Sequence, residues 1–134
     1  MQDFKNLKVW KKSHALTLDI YRSTLAFPTE EKYGLVAQLR KAAVSIESNL
    51  AEGTARSGDS EFRRFAYMAL GSACEIECQL ILARDLGQLP GPVFERLNFA
   101  GHEVRKMLWA LIQCLTKASG IGGLPRARSS KLEA

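Results

Sequence analysis

Three sets of helix breakers cut the first 118 residues into four long stretches with helical apolar spacing. Few folds other than a helical bundle can bury such stretches together. The breakers are Phe27-Pro28-Thr29, the run GTARSGDS from Gly53 to Ser60, and QLPGP from Gln88 to Pro92. Pro28 disfavours helical geometry in the residue before it. Helices are therefore expected at about 6–26, 33–52, 60–86 and 92–118. At roughly 100° per residue, the first stacks Leu7, Trp10, His14, Leu18, Tyr21 and Leu25 on one face. The second stacks Leu35, Leu39, Ala42, Ala43, Ile46 and Leu50. The third stacks Phe62, Phe65, Ala66, Ala69, Ala73, Ile76, Leu80 and Ala83. The fourth stacks Val93, Leu97, Ala100, Val104, Leu108, Leu111, Ile112 and Leu115. Gly53 and Gly87 read as C-terminal stops. Ser57, Asp59 or Ser60 reads as a cap for the third helix, and Pro92 suits the first turn of the fourth. No strand alternation and no internal repeat is visible. The expected fold class is all-α, an antiparallel up-down-up-down four-helix bundle over residues 1–118. Residues 119–134, a basic Gly/Pro/Ser tail, are expected to be disordered.

The 134-residue length suits one domain, and 46% hydrophobic with 25% charged residues places the chain among globular proteins. The opening MQDFKNLKVWKK lacks the apolar run of a signal peptide. No uninterrupted apolar stretch approaches the ~18 residues of a membrane span, so no membrane is expected among the partners. Three cysteines, an odd number within helical sequence, argue against a disulfide framework and for a reducing, cytoplasmic setting.

Two helices carry more apolar surface than one bundle needs. Val9, Leu16, Ile20 and Phe27 lie roughly opposite Leu7 and Leu18 on the first helix. Tyr67, Gly71, Cys74, Cys78 and Leu82 lie on the third helix away from Phe62 and Leu80. From Phe65 to Ala83 the only charges are Glu75 and Glu77. A helix apolar nearly all round is buried all round. Val9, Leu16, Ile20, Tyr67, Cys74, Cys78 and Leu82 are therefore candidate contacts between copies of the chain, which is expected to be a homo-oligomer.

A polar row flanks the second helix's apolar stripe: Gln38, Ser45, Asn49 and Glu52. The third helix has a similar flank of Ser72, Glu75 and Gln79. Buried groups of this kind cost about 1–3 kcal/mol each when unpaired, so the two flanks are expected to meet as a structural seam. The catalytic alternative pairs Glu52 with Glu75. General acid–base work needs two carboxylates in one pocket with split pKa values, and nothing else in the sequence builds that pocket, so no enzyme is expected. Cys74 and Cys78 stand four apart, but no second half-site accompanies them; these thiols read as packed, and His14 as a satisfied core histidine. Phosphate-loop, dinucleotide, nucleophile-elbow and zinc-protease signatures are absent. No cofactor and no metal is expected.

The net charge of +5 permits an acidic partner. Lys5, Lys8, Lys11 and Lys12 cluster near Trp10, and Arg40-Lys41, Arg63-Arg64 and Arg105-Lys106 are adjacent pairs. Repeated around an oligomer, these ten residues are candidate RNA or DNA contacts through phosphate. Each pair taken alone reads as a solvated helix face.

Three strings resemble the 23S rRNA intervening-sequence protein family. They are the F-x-x-L-x-V-W pattern opening Phe4 to Ala15, YGLVAQLRKAAVSIESNLAEG from Tyr33 to Gly53, and EFRRFAYMALGSACEIECQLILARDLGQL from Glu61 to Leu89. The most specific parts are Gln38-x-Arg40, Ser45-x-x-x-Asn49-x-x-Glu52-Gly53 and Gly71-Ser72-x-x-Glu75. The resemblance spans residues 4–118 and implies a four-helix bundle assembled as a ring-like homopentamer. A related group, the accessory variability determinants of diversity-generating retroelements, is implied to be a basic pentamer that partners a reverse transcriptase and binds nucleic acid. No catalytic residues come with the resemblance, because the matching positions are helix-packing positions. Two functions stay open: an oligomeric scaffold that also binds RNA or DNA, and a docking module whose only ligands are proteins.

Overall fold

The computed structural model describes residues 3–120. Four α-helices follow one another: α1 (Lys8–Ser23), α2 (Leu35–Ala55), α3 (Asp59–Asp85) and α4 (Gly91–Ala118). Single 3₁₀ turns stand at Phe4–Asn6, Thr24–Ala26 and Thr29–Glu31. There is no strand among the described residues. Each helix packs on its neighbours in sequence, and α4 closes back on α1, so the helices stand at the corners of a square. The α1/α2 side is therefore opposite the α3/α4 side. Of the expected tail, residues 121–134 lie outside the described residues.

The helices end for local reasons. After α3, Gly87 takes φ +73°, its N–H donates to the Arg84 carbonyl, and the Gln88 N–H donates to the Ala83 carbonyl. That is the Schellman arrangement, and it stops the helix where sequence places the stop. Pro92 stands in the first turn of α4, where its missing N–H is no loss. The start of α3 differs from expectation. Its N-cap is Gly58 at φ +98°, with no side-chain cap from Ser57, Asp59 or Ser60. Asp59 and Glu61 instead put negative charge in the first turn, which the helix dipole favours.

Gly53 does not stop α2, which runs on to Ala55. It is a point of close approach: a β-carbon there would stand 2.7 Å from Phe62 Cδ1 and 3.0 Å from Phe65 Cβ. The glycine lets the end of α2 rest directly on the start of α3.

The expected stripes of α2 and α3 are buried, as are Leu97, Val104, Leu108, Ile112 and Leu115 of α4. α1 is turned the other way. Val9, Leu16, Ile20 and Phe27 form its buried side, whereas Leu18 and Tyr21 are each 40% exposed and Leu25 is 77% exposed. Val9, Leu16 and Ile20 are thus spent on the core of a single chain and cannot serve as contacts between copies. The reason lies in Ser13, Thr17 and Thr24, which share that buried side. Their hydroxyls donate to backbone carbonyls one turn back: Ser13 to Val9 at 2.6 Å, Thr17 to Ser13 at 2.9 Å, Thr24 to Ile20 at 2.7 Å. Satisfied within their own helix, these residues bury at little cost. In the sequence they count as polar and disguise the core face.

α3 is the one described helix long and apolar enough to cross a bilayer. Its buried side is packed between α2 and α4 through Phe65, Ala69, Ile76 and Leu80.

Candidate functional site

The polar row forms a seam with Ser45 as its hub. The Ser72 hydroxyl donates to the Ser45 hydroxyl at 2.9 Å, and Asn49 Nδ2 donates to the same oxygen at 3.0 Å and to the Ser45 carbonyl at 2.8 Å. Asn49 and Ser72 are buried, so these bonds offset desolvation, and the Ser72–Ser45 bond, which crosses between the helices, fixes the level of α2 against α3. The other four seam candidates do not join. Gln38, Glu52 and Glu75 are exposed, and Glu52 pairs with Arg56 on its own helix at 3.4 Å. Gln79 is half-buried, and its Oε1 has no protein partner. The seam is therefore three residues deep at its centre and opens outward at both ends.

The same register separates the carboxylates of the catalytic alternative. With Ser45 level with Ser72 in antiparallel helices, Glu75 stands level with residue 42, about 15 Å along the axis from Glu52. They do not share a pocket. No group of three or more metal-ligating side chains exists among the described residues.

His14 is not a core histidine. It is exposed, its Nδ1 lies 2.7 Å from Glu47 Oε2, and its ring stacks on Trp10 at 4.9 Å between centroids. It ties α1 to α2 from the outside. A matching tie joins α3 to α4, where Glu77 meets His102 Nε2 at 3.1 Å and Arg105 Nη1 at 3.1 Å. Sequence spacing carries no signal for these ties, because each partner belongs to a different helix. All three cysteines are exposed in the single chain rather than packed.

The ten basic candidates divide in two. Lys12 pairs with Glu103, Arg64 with Glu61 and Arg105 with Glu77. Arg63 donates to Thr116 and lies over the Tyr67 ring, and Arg40 donates to Thr24 and lies over the Tyr21 ring. Lys5, Lys8, Lys11, Lys41 and Lys106 are exposed and without an ion pair among the described residues. Three of those five stand at the start of the chain.

Arg96 grips Asp19 through two bonds of 2.9 Å, joining α4 to α1. The Arg96 hydrogen bonds hold the Asp19 carboxyl below its ordinary value of 3.8 against the opposing pull of burial. A depressed carboxylate contributes stability that is complete above the unfolded pKa and lost as pH falls through the folded one. Arg96 is exposed and Asp19 half-buried, so solvent screens the pair and its contribution is small. Asp19→Asn should flatten the acid limb of the stability curve below about pH 4 and leave pH 7 stability within about 1 kcal/mol of the parent. Urea midpoints from pH 2.5 to 7 check this; an unchanged acid limb contradicts it.

Several large apolar residues remain on the outside, Tyr33, Leu86 and Phe99 among them, and two sets of them line up along the helices. One lies along the α1/α2 side: Leu18, Tyr21 and Leu25, with Val44 of α2 38% exposed. The other lies along α3: Tyr67 at 39%, Leu82 at 49%, and between them Gly71, Cys74 and Cys78, all exposed. Trp109 of α4, 43% exposed, sits edge-on to Tyr67 at 6.5 Å and extends that area. Four of the seven residues expected to face another copy, Tyr67, Cys74, Cys78 and Leu82, thus lie together on one open surface. The surface depressions, one along the first turns of α3 and one along α4, are each lined by residues of a single helix. Neither is an enclosed site.

A solved structure shares this arrangement. It is described as a protein of unknown function from the S23 ribosomal protein family of Bacteroides thetaiotaomicron. It is 22% identical, with a TM-score of 0.70, covering 78% of this chain and 97% of that one. At that identity the likeness shows the fold alone. No curated protein matches the sequence. The family model described as 23S rRNA-intervening sequence protein matches residues 5–110. With most of α1 through α4 inside that match, the chain belongs to the 23S rRNA-intervening sequence protein family.

Proposed function

We propose that this protein is a non-enzymatic, self-associating helical scaffold that acts in the cytoplasm. The observation that carries the reading is the outer side of α3. Over the stretch Phe65–Ala83 only Glu75 and Glu77 are charged, and Tyr67, Gly71, Cys74, Cys78 and Leu82 stand open to water. Scattered surface apolar residues are ordinary; contiguous ones mark an interaction surface. Another copy of the chain covers it, and the family resemblance supplies the number five for the ring. Light scattering coupled to size exclusion tests this. A particle of several times the 14.9 kDa chain mass is expected, and a single-chain mass at tens of micromolar would contradict it.

RNA or DNA is the second ligand of the scaffold. Lys5, Lys8 and Lys11, unpaired at one end of α1 beside Trp10, support this. Repeated in each copy, they would neutralise phosphates additively, and log affinity would fall linearly with log salt. Gel shifts with single- and double-stranded RNA and DNA between 50 and 200 mM salt, about the range over which such contacts fade, check it. No shift even at low salt favours the alternative, a docking module with protein ligands alone.

A further inference from the structure

We propose that Cys74 and Cys78 form a two-thiolate site for a soft monovalent metal ion, Cu(I), on the outer side of α3. The site is read from the two thiols themselves and does not depend on what covers that side.

Spacing sets the distance between the thiols. α3 is one unbroken helix from Asp59 to Asp85. Residues four apart on it stand one above the other, with about 5–6 Å between β-carbons. A disulfide needs about 3.5–4.5 Å, so this pair cannot close one without unwinding the helix, and both cysteines are free. One ion between two sulfurs asks for more room. At metal–thiolate distances of roughly 2.3 Å, sulfurs on either side of an ion stand about 4–5 Å apart. Two side chains leaning together from that β-carbon spacing reach this separation.

The thiols are also open. Helical spacing alone reads them as packed, but both are exposed in the chain. Gly71, one turn before Cys74, adds no side chain over them, and nothing lies within 4 Å of where its β-carbon would stand.

The surroundings hold the ligand number at two. Across the α3/α4 pair, Arg63 meets Thr116 and Glu77 meets His102. That register puts Cys114 level with about residue 65, roughly 13 Å along the axis from Cys74. Met68, the exposed thioether of α3, stands six residues before Cys74 and so about 120° around the helix. His102 is engaged with Glu77, and His14 with Glu47. The Glu75 carboxylate beside the pair is a hard oxygen donor. Zinc in a closed protein site takes four ligands, which this pair does not supply. Soft thiolates select Cu(I), and two of them complete its linear coordination. On binding, each S–H gives up its proton, so two protons leave as one ion arrives and affinity rises with pH.

Competition with the coloured Cu(I) chelator bicinchoninate, free of oxygen and with ascorbate as reductant, tests the site. The parent should hold one Cu(I) per chain, more tightly as pH rises from about 6 to 8. X-ray absorption should find two sulfur neighbours per copper. Cys74→Ser and Cys78→Ser should each lose more than the roughly 10–100-fold in affinity that losing an outer-shell partner costs. Cys114→Ser should match the parent. All three positions are exposed, so helicity by circular dichroism should be unchanged. A parent that yields all its copper to the chelator overturns the site. So does a Cys74→Ser or Cys78→Ser variant that binds like the parent, or a Cys114→Ser variant that does not. Zinc retained as firmly as copper overturns the two-ligand assignment. The mass of the same samples on size exclusion reads self-association separately, so failure of that reading leaves this site standing.

Discussion

Gly53→Val should cost the bundle about 3 kcal/mol, at the upper end of what overpacking a tight core does, and lower the melting temperature by on the order of 10 °C. The cost has a definite source. Even a bare β-carbon at this position would stand 2.7 Å from Phe62 and 3.0 Å from Phe65. Phe62 is a ring that can turn; the Phe65 contact is to its Cβ, which moves only with the α3 backbone. Valine adds two methyl groups beyond that point, so α2 and α3 must part where they are joined by the short Arg56–Gly58 connection. The helix-forming advantage of a side chain over glycine, about 0.5–1 kcal/mol, recovers part of the loss and leaves the sign unchanged. Thermal unfolding followed by circular dichroism measures it; a variant as stable as the parent would show that the two helices do not touch there.

Ile20→Ala should cost about 2–5 kcal/mol, whereas Leu18→Ala, two residues away, should cost less than about 1 kcal/mol in the single chain. Ile20 is fully buried and Leu18 is 40% exposed. Truncating the first removes buried methyl groups and leaves a cavity; truncating the second removes a side chain that water already reaches. Urea unfolding of both variants decides which side of α1 is the core, and equal costs, or the reverse order, would contradict the placement of α1.

Those two positions show where sequence reading succeeds and where it stops. The core stripes of α2, α3 and α4 are legible because Leu, Ile, Ala and Phe recur there at helical spacing with few polar interruptions. Gly87 and Pro92 are legible because their backbone chemistry allows little else. α1 is not, since its buried side holds Ser13, Thr17 and Thr24, whose hydroxyls bond to carbonyls one turn back, while its outer side holds Leu18 and Tyr21. Both sides then carry large apolar residues, and tertiary packing selects one. Gly53 is ambiguous for a related reason: a glycine at a helix end and a glycine under an aromatic ring look the same in one dimension.

The seam was half legible. Helical projection brings the flanks of α2 and α3 together, and Ser45, Asn49 and Ser72 do bond. Projection gives angle and not depth, so it could not separate these three from Gln38, Glu52 and Glu75, which lie on the same flank but reach water. The ties from Glu47 to His14 and from Glu77 to His102 depend on pairing across helices, which periodicity within one helix does not encode. The excess apolar surface, by contrast, is legible on α3 because the run Phe65–Ala83 has so few charges. On α1 the excess is real but sits on the side opposite to the one spacing suggested.

The claim on which the functional account stands is that the open side of α3 is covered in the native protein, and its thiols report on that directly. Cys74 and Cys78 lie within the open area of α3, and Cys114 lies on α4; all three are exposed in the single chain. Titrating the native protein with a water-soluble thiol reagent should therefore give one fast-reacting group per chain, Cys114, with the other two appearing only on dissociation or unfolding. Three fast-reacting thiols per chain in the undenatured protein would show α3 bare and contradict the account.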